Sequence, residues 1–520
     1  MGGADKGVAL VSGDEETPLR GAGQAVGVVV AHDKDDDHAP TGAGPAPAGT
    51  RAGLADAMVE DEMRTHLTEL MAAAVNHPNA AGVPCRSVLN GYNESAEFVR
   101  FRLTEGGFAD TDIRTFPVEA PVYTQIAVPS LVLDGIELIY GSDFAGVRYS
   151  GGNGAQTVND APLVVIPSAD ACNATAYPST PGAVFVTYSV AGGSCDYASR
   201  VMAAEAAGAA AVLLSSSPGS RSLPGSRARP SPWYPGSWLA SVPIIGVTDT
   251  VYQLIAAKGA AARVTIATNT ETVVADTYDV CADVPPPPGV TPSGAIIVMG
   301  AHLDSVAEGP GINDDGSGSA VVLQLALAYR KQAAAIRSPH TLRFCWWAAE
   351  ELGLIGSYQY VAQLQANEPA DWDAIELYLN YDMLASPNYV RFVHQANDSI
   401  ATGTVLRRAE AIEAAYLDAF AAEGLTYELS SMRAGSDFLP FLIADKPTGG
   451  LLTGAGGLKT MEQRTIFGGF ADAPYDPCYH SPCDTLENIA YDALVQNARV
   501  AARVAVRFAQ ADPLWPSESK

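Results

Sequence analysis

The sequence is poor in basic residues and has no long apolar run. Its 520 residues include 31 Lys and Arg against 58 Asp and Glu, which gives a formal net charge of −27. Such an acidic chain lacks the positive surface that binds nucleic acids or anionic membranes. No apolar stretch reaches the roughly 18 residues that a membrane-spanning helix requires. The composition therefore predicts neither a nucleic-acid partner nor a transmembrane segment.

The first 50 residues lack the hydrophobic periodicity of a folded domain. They are rich in Gly, Ala, Pro and Asp, and we expect residues 1–50 to be disordered. No secretory signal with a basic start and an apolar middle is evident. The chain starts Met1-Gly2, but Lys6 stands where a myristoylation motif requires Ser or Thr. N-terminal acylation is therefore not expected.

Cysteine is scarce, with seven residues in the chain. Cys478 and Cys483 flank a histidine and are expected to form a disulfide. Cys172 and Cys195 flank a predicted strand and are a second candidate pair. The other three are predicted to be unpaired, two of them as buried thiols inside apolar strands: Cys281, Cys345 and Cys85. Because disulfides indicate an oxidising compartment, we expect a secreted or vacuolar/lysosomal protein.

The pattern of hydrophobic residues divides the rest of the chain into three parts. Residues 51–140 contain two predicted helices, the second capped by Asn93 or Ser95, followed by short strands. Residues 141–270 contain short β-branched strands, one helix and a Pro- and Gly-rich loop. Residues 271–512 alternate strand and helix, which is typical of an α/β fold with a mostly parallel central sheet flanked by helices.

Three predicted strands of the last part end at residues that bind metals. The strand at 295–301 is followed by His302, the strand at 341–348 leads to Glu350 and Glu351, and the strand at 375–381 is followed by Asp382. Ligands of open α/β sheets bind beyond the carboxyl ends of the strands. We therefore expect these side chains to meet at one edge of the sheet.

Two further candidate ligands, Asp314 and His480, complete a set suited to zinc. Zinc in proteins binds His nitrogens and carboxylate oxygens, and catalytic sites keep one position open for water. A pair of zinc ions requires a shared ligand, and we assign that role to Asp314 because its glycine-rich loop allows close approach. Glu350, next to the ligand Glu351, is the candidate general base.

Together these motifs resemble the co-catalytic zinc aminopeptidases of the secreted bacterial leucine aminopeptidase and vacuolar aminopeptidase Y type. The resemblance covers roughly residues 54–510 and implies a zinc exopeptidase fold with two Zn²⁺ per chain. It places His302 and Asp382 on one zinc, Glu351 and His480 on the other, and Asp314 between them. Substrates would be peptides with a free N-terminus.

The resemblance also implies roles for neighbouring residues. Glu350 would accept a proton from the water between the metals, and Tyr479 would donate a hydrogen bond to the oxyanion. A cis peptide is expected between Asp314 and Asp315. From the residues themselves, we expect Asp304 to accept the other imidazole N–H of His302 and Asp315 to hold the loop backbone. The segment Ser436-Asp437-Phe438 also resembles the family, and we assign it no catalytic role.

Residues 141–270 resemble the protease-associated (PA) domain, a small β-rich module with one helix that is inserted in several peptidase families. The resemblance depends on GAVFVTYSVAGGSCDYASRVMAAEAAGAAAVLL and on PIIGVT. An ordinary α/β insertion is the alternative interpretation.

Four alternative functions stay open at the level of sequence. A glutamate-type carboxypeptidase of the same superfamily typically has proline after the bridging Asp, where this chain has Asp315. A single-zinc glutaminyl cyclase would not need the complete ligand set. A non-catalytic receptor-like relative should have lost ligands, and none is missing. A serine hydrolase is disfavoured because GSGSA does not match G-x-S-x-G.

Overall fold

The protein is described by a computed structural model. The residues it describes are 53–147, 150–151, 153–180, 182–188, 197–215, 240–432 and 435–515. The predicted disorder of residues 1–50, the Pro-rich loop near residues 221–238 and the predicted partner Cys195 lie outside the described residues. Within those ranges, no helix has the length and apolar character needed to cross a bilayer.

The described α-helices alternate with strands through the second half of the chain. They are α1 (Glu60–Asn76), α2 (Tyr92–Glu105), α3 (Tyr197–Ala206), α4 (Asp249–Lys258), α5 (Gly316–Ile336), α6 (Ile355–Asn367), α7 (Pro369–Ala374), α8 (Gly403–Glu423), α9 (Phe438–Ile443), α10 (Met461–Phe467) and α11 (Tyr491–Ala509).

The strands include two that are much longer than the others. They are β1 (Ile113–Leu133), β2 (Ile136–Glu137), β3 (Phe144–Gly146), β4 (Gly154–Val165), β5 (Val184–Tyr188), β6 (Ala211–Ser215), β7 (Ile244–Val247), β8 (Arg263–Val284), β9 (Ile296–His302), β10 (Thr341–Trp347), β11 (Ile375–Tyr381), β12 (Phe392–Gln395), β13 (Glu428–Ser431) and β14 (Thr448–Leu452).

The main sheet has the predicted α/β architecture. Its strand order is β13-β12-β14-β11-β9-β10-β8, and the four central strands β14, β11, β9 and β10 are parallel. These strands are buried along almost their whole length, as expected for parallel strands covered by helices on both faces. Helix α5 packs on β9, and α11 packs against α5 and α8.

A second sheet forms the inserted module. Strands β4, β5, β6 and β7 run parallel, with β3 antiparallel at the edge. Its helices are α3, which ends before Gly208 as expected, and α4. The sequence analysis missed α4 and was wrong to expect one helix. The signal is Thr248, whose hydroxyl accepts a hydrogen bond from the backbone N–H of Val251 at 3.4 Å, as an N-cap residue does.

The two sheets are joined by the ribbon of β1 and β8. The first part of β8 pairs with β4, and its last part pairs with β10. Strand β4 pairs with residues 263–270 of β8, whereas β10 pairs with residues 280–284. Strand β1 pairs antiparallel with β8 along both parts, and the register of this pairing shifts between Gln125 and Ser130.

Several predicted details of the first part are wrong. The region 112–138 holds one 21-residue strand and a two-residue strand, where several short strands were predicted. The first helix, predicted over about residues 54–75, is interrupted: residues 53–56 are helical, and α1 starts at Glu60 after extended Val59. Neither Asn93 nor Ser95 caps α2; Ser95 lies inside it and donates its hydroxyl to Gly91 O at 3.0 Å.

The cysteine predictions are confirmed in part. Cys478 and Cys483 form a disulfide with a Cα–Cα distance of 5.3 Å, and Cys85 is a free buried thiol. The prediction of free thiols at Cys281 and Cys345 is wrong, because these residues form a second disulfide. They lie directly opposite each other on antiparallel β8 and β10. Because they are 64 residues apart in the sequence, no local pattern indicates this pairing.

Candidate metal centre

Three parallel strands deliver acidic and imidazole side chains to one edge of the main sheet. His302 is the last residue of β9, and Asp382 follows β11 directly. Glu350 and Glu351 follow the end of β10 by a short turn. Because β9 lies between β10 and β11, these side chains converge above its carboxyl end, as the sequence analysis expected.

The loop before α5 presents Asp314. The peptide bond between Asp314 and Asp315 is cis, as expected. The Asp315 carboxylate accepts hydrogen bonds from the backbone N–H of Gly318 at 2.8 Å and of Met383 at 2.9 Å. It therefore caps α5 and ties the Asp314 loop to the residue after Asp382. Helix α5 starts at Gly316, three residues earlier than predicted.

His480 lies in the loop that the Cys478–Cys483 disulfide closes. Its backbone has a φ of 54°, in the left-handed region that side chains other than glycine rarely adopt. The imidazole stacks on the ring of Tyr479, with ring centroids 3.8 Å apart. Such strain is common where a structure holds a functional side chain in place.

The donor atoms form two overlapping groups. One consists of His302, Asp314 and Asp382, and the other of Asp314, Glu351 and His480; within each group the donor atoms lie within 4.8 Å of one another. Asp314 Oδ1 faces His302 Nε2 at 3.2 Å, and its Oδ2 faces His480 Nε2 at 3.1 Å. This nitrogen and carboxylate donor set fits zinc ligation.

A third group brings Glu350 close to His302 and Glu351. Glu350 is only partly buried, whereas Glu351 is buried. Glu350 belongs to neither of the two groups that share Asp314.

The charges around these side chains attract cations. Burial disfavours a charged His480, but the carboxylates of Glu351 and Asp314 outweigh it and raise the pKa of His480 to about 11. Burial likewise opposes ionisation of Asp314, yet hydrogen bonds with His302 and His480 hold its pKa below its ordinary value. Burial raises the pKa of Glu350 well above its usual range, against the opposing charge of His302.

Asp304 does not act on His302 quite as predicted. Its carboxylate lies 3.6 Å from His302 Nδ1, while its backbone oxygen is closer, at 3.2 Å. The carboxylate accepts hydrogen bonds from the backbone N–H of Glu350 at 3.0 Å and of Glu351 at 3.3 Å. Asp304 therefore orients the turn that carries these glutamates as well as the imidazole.

Ser436, to which the sequence analysis assigned no role, contacts a candidate ligand directly. Its hydroxyl donates to Asp382 Oδ2 at 2.7 Å and accepts from Asn380 Nδ2 at 2.8 Å. Tyr378 in turn donates to Asn380 at 2.9 Å and accepts from Trp347 at 2.8 Å. This chain of hydrogen bonds orients Asp382 and was visible in sequence only as a resemblance of the motif.

Four buried polar residues beside the site were also missed by the sequence analysis. They are Asn313, Asp476, Asp484 and Asn488, all of them at most 5 % exposed. Polar residues next to a candidate ligand in a loop are usually solvated, and only their burial in the fold distinguishes them.

Models of two protein families match the sequence. Peptidase family M28 matches residues 280–505, and the PA domain matches residues 159–255. The first range contains every candidate metal ligand, and the second lies within the predicted insertion.

Characterised relatives are similar over most of the chain. The sequence is 34 % identical over 486 residues to the probable lipoprotein aminopeptidase LpqL of Mycobacterium tuberculosis, covering 90 % of this chain and 88 % of that protein. It is 32 % identical to leucine aminopeptidase 2 of Trichophyton rubrum, covering 69 % of this chain and 68 % of the relative.

Solved structures share the fold. An aminopeptidase from Aneurinibacillus sp. strain AM-1 aligns with a TM-score of 0.64 and 21 % identity, covering 88 % of this chain and 95 % of that one. A zinc aminopeptidase from Bacillus subtilis aligns with a TM-score of 0.55 and 19 % identity, covering 86 % and 95 % of the two chains.

Proposed function

The chain belongs to peptidase family M28, and from this membership we propose that it is a two-zinc aminopeptidase that removes N-terminal residues from peptides. It is a hydrolase of the metallopeptidase class. Its named relatives include a leucine aminopeptidase. The finer assignment to two metals and a glutamate base depends on the geometry of the site.

The observation that carries the proposal is the shared position of Asp314. Its two carboxylate oxygens face two different imidazoles, at 3.2 Å and 3.1 Å. His302 and Asp382 would hold one zinc, and Glu351 and His480 the other, with Asp314 common to both. Two zinc ions per chain use every donor of this set, whereas a single ion would leave one group without a cation.

The chain's own residues complete the chemistry. When bound, zinc lowers the pKa of water and polarises a carbonyl oxygen. Glu350 stands beside the donor groups and would accept a proton at its carboxylate and pass it to the leaving amine. Asp304 holds the Glu350 backbone N–H at 3.0 Å, which limits the positions that this carboxylate can take.

Tyr479 is the proposed donor to the oxyanion. It precedes His480 inside the disulfide-closed loop, and its ring stacks on the imidazole. The stacking couples its orientation to that of the ligand. A hydroxyl held in place contributes when negative charge develops on the carbonyl oxygen.

The acidic site also accounts for selection of a free N-terminus. Asp382 Oδ2 already accepts a hydrogen bond from Ser436 at 2.7 Å, which leaves this oxygen less able to accept from the substrate ammonium. Glu350 is the acceptor we propose for that group. The disulfides Cys281–Cys345 and Cys478–Cys483, both between described residues, support an oxidising, extracytoplasmic compartment.

Metal stoichiometry tests the proposal. The purified protein should bind two zinc ions per chain, lose hydrolysis of leucyl-anilide on chelation and regain it with zinc, because the donor groups supply no activity alone. Elemental analysis across a zinc titration measures the number. Full activity with one tightly bound ion at saturating zinc would contradict the two-metal assignment.

Tyr479→Phe tests the oxyanion donor. The variant should lower kcat by about 10²–10³-fold with a smaller change in KM, because the hydroxyl acts on the transition state. The ring and its stacking on His480 are kept, so zinc content should not change. A variant with the wild-type kcat would contradict the role.

A further inference from the structure

Two separate loops carry the ligands that face each other across the site. Asp314 lies in the loop before α5, and His480 lies in the loop closed by the Cys478–Cys483 disulfide. Asp314 Oδ2 and His480 Nε2 are 3.1 Å apart. Since the two residues are far apart in sequence, contacts between the two loops have to fix the position of one relative to the other.

Asp484 binds the loop of Asp314 through both carboxylate oxygens. Its Oδ1 accepts from the backbone N–H of Asn313 at 2.8 Å, and its Oδ2 accepts from the backbone N–H of Asp314 at 3.1 Å. The backbone N–H of Ile312 also donates to Asp484 O at 3.1 Å. The peptide groups that lead into Asp314 are therefore held by a residue that directly follows the disulfide loop.

Asp476 makes the matching contacts on the other side of that loop. Its Oδ1 accepts from the backbone N–H of Cys478 at 2.8 Å, and its Oδ2 accepts from Asn313 Nδ2 at 2.6 Å. Asn488 Nδ2 donates to Asp476 Oδ1 at 3.0 Å and to Asp484 Oδ1 at 3.0 Å. One amide thus connects the carboxylates that precede and follow the loop of His480.

The burial of this network argues against a role in stability alone. Asp476 and Asp484 are each 1 % exposed. The charge of buried Arg86 interacts with that of Asp484, but the Arg86 guanidinium donates its hydrogen bonds to the carbonyls of Leu303, Pro310 and Gly311. Buried carboxylates are costly, and well-packed apolar residues stabilise a core at least as well. Apolar residues could not accept the hydrogen bonds that these two carboxylates accept from both ligand loops.

We propose that Asp484 is a positioning residue that sets the separation of Asp314 and His480, directly through the Asp314 backbone and indirectly through Asn488 and Asp476. Asp484 belongs to none of the three donor groups, so it acts on a metal through other residues. The inference deepens the proposed function and depends on the metal ligands assigned there.

Asp484→Asn is the test variant. The amide nitrogen cannot accept a hydrogen bond, so either the Asn313 or the Asp314 N–H loses its acceptor while side-chain size is kept. We expect the zinc Kd, measured on the full-length protein against a competing chelator, to rise by about 10–100-fold. The kcat for leucyl-anilide should fall at saturating zinc with a smaller change in KM. The visible absorption of the Co²⁺-loaded protein should shift, because it reports ligand geometry.

Two other variants separate positioning from folding. Asp283→Asn weakens the ion pair of Asp283 with buried Arg343, at 2.7 Å on β8 and β10; it should lower the urea midpoint and leave zinc Kd and the Co²⁺ spectrum unchanged. Asn488→Ala removes the connection and keeps both carboxylates, so it should raise the zinc Kd less than Asp484→Asn. Asn488→Ala also tests the positioning role if the Asp484→Asn variant does not fold.

The outcomes distinguish this inference from the proposed function. If wild-type protein binds two zinc ions and hydrolyses leucyl-anilide, while folded Asp484→Asn or Asn488→Ala keeps the wild-type zinc Kd and Co²⁺ spectrum, the positioning role alone is overturned. If Asp283→Asn shifts the zinc Kd as much as Asp484→Asn does, the effect is one of general stability and the inference is also overturned. Wild-type protein that binds no zinc would overturn the proposed function itself.

Discussion

Replacing Glu350 with Gln should lower kcat by about 10²–10⁴-fold, the usual contribution of a general base, while the protein keeps its zinc. The amide has the size of the carboxylate but does not accept a proton at neutral pH. The Asp304 carboxylate should still hold the backbone N–H of residue 350, as it does at 3.0 Å in the native chain. Steady-state kinetics together with metal analysis measure both effects.

The adjacent glutamate provides the matched control. Glu351 lies in the donor group with Asp314 and His480, so Glu351→Gln should lose zinc affinity as well as activity. Both variants make the same chemical change one residue apart. A Glu350 variant that loses zinc beside a Glu351 variant that keeps it would reverse the proposed roles.

Blocking the substrate amine should have an effect at least as large. Acetyl-leucyl-anilide should have a kcat/KM about 10⁴-fold below that of leucyl-anilide, because a site built to bind a polar group strongly rejects an analogue without it. Acetylation removes the positive charge and leaves one amide N–H in place of the three ammonium N–H donors from which we propose that Glu350 accepts. The comparison needs one enzyme preparation at saturating zinc, with both anilides followed over the same time.

A third substrate separates the alternatives. An acetylated acidic dipeptide is the substrate type of the carboxypeptidase alternative, and the chain should hydrolyse it poorly. Similar rates on the blocked and free anilides would indicate an endopeptidase. Preference for the acetylated dipeptide would favour the carboxypeptidase, against the indication from Asp315, which follows the bridging Asp314 where that enzyme type has proline.

The sequence predicts which side chains meet at this edge of the sheet, because each candidate ligand has a local signal. His302 ends one strand of buried residues, and Asp382 directly follows another that is almost fully buried. Parallel strands place their carboxyl ends at one edge of the sheet. Predicting where the strands end therefore nearly predicts where the site lies. Asp314 and His480 are marked by their glycine-rich and cysteine-flanked loops. These features require no information on long-range packing.

Contacts between distant segments were decided only by the tertiary structure. Cys281 and Cys345 pair because the register of β8 and β10 places them opposite each other. Ser436 reaches Asp382 across 54 residues of sequence, and Asp484 reaches the backbone of Asp314 across 170. A hydroxyl or carboxylate in a loop has the same local signal whether it is solvated or buried against a ligand. Hydrophobic periodicity encodes which face of a strand or helix is buried, but it carries no information on which loop will lie beside it. The sequence by itself therefore determined the fold class, the family and the candidate ligands, and the packing of the loops decided which further residues contact those candidate ligands.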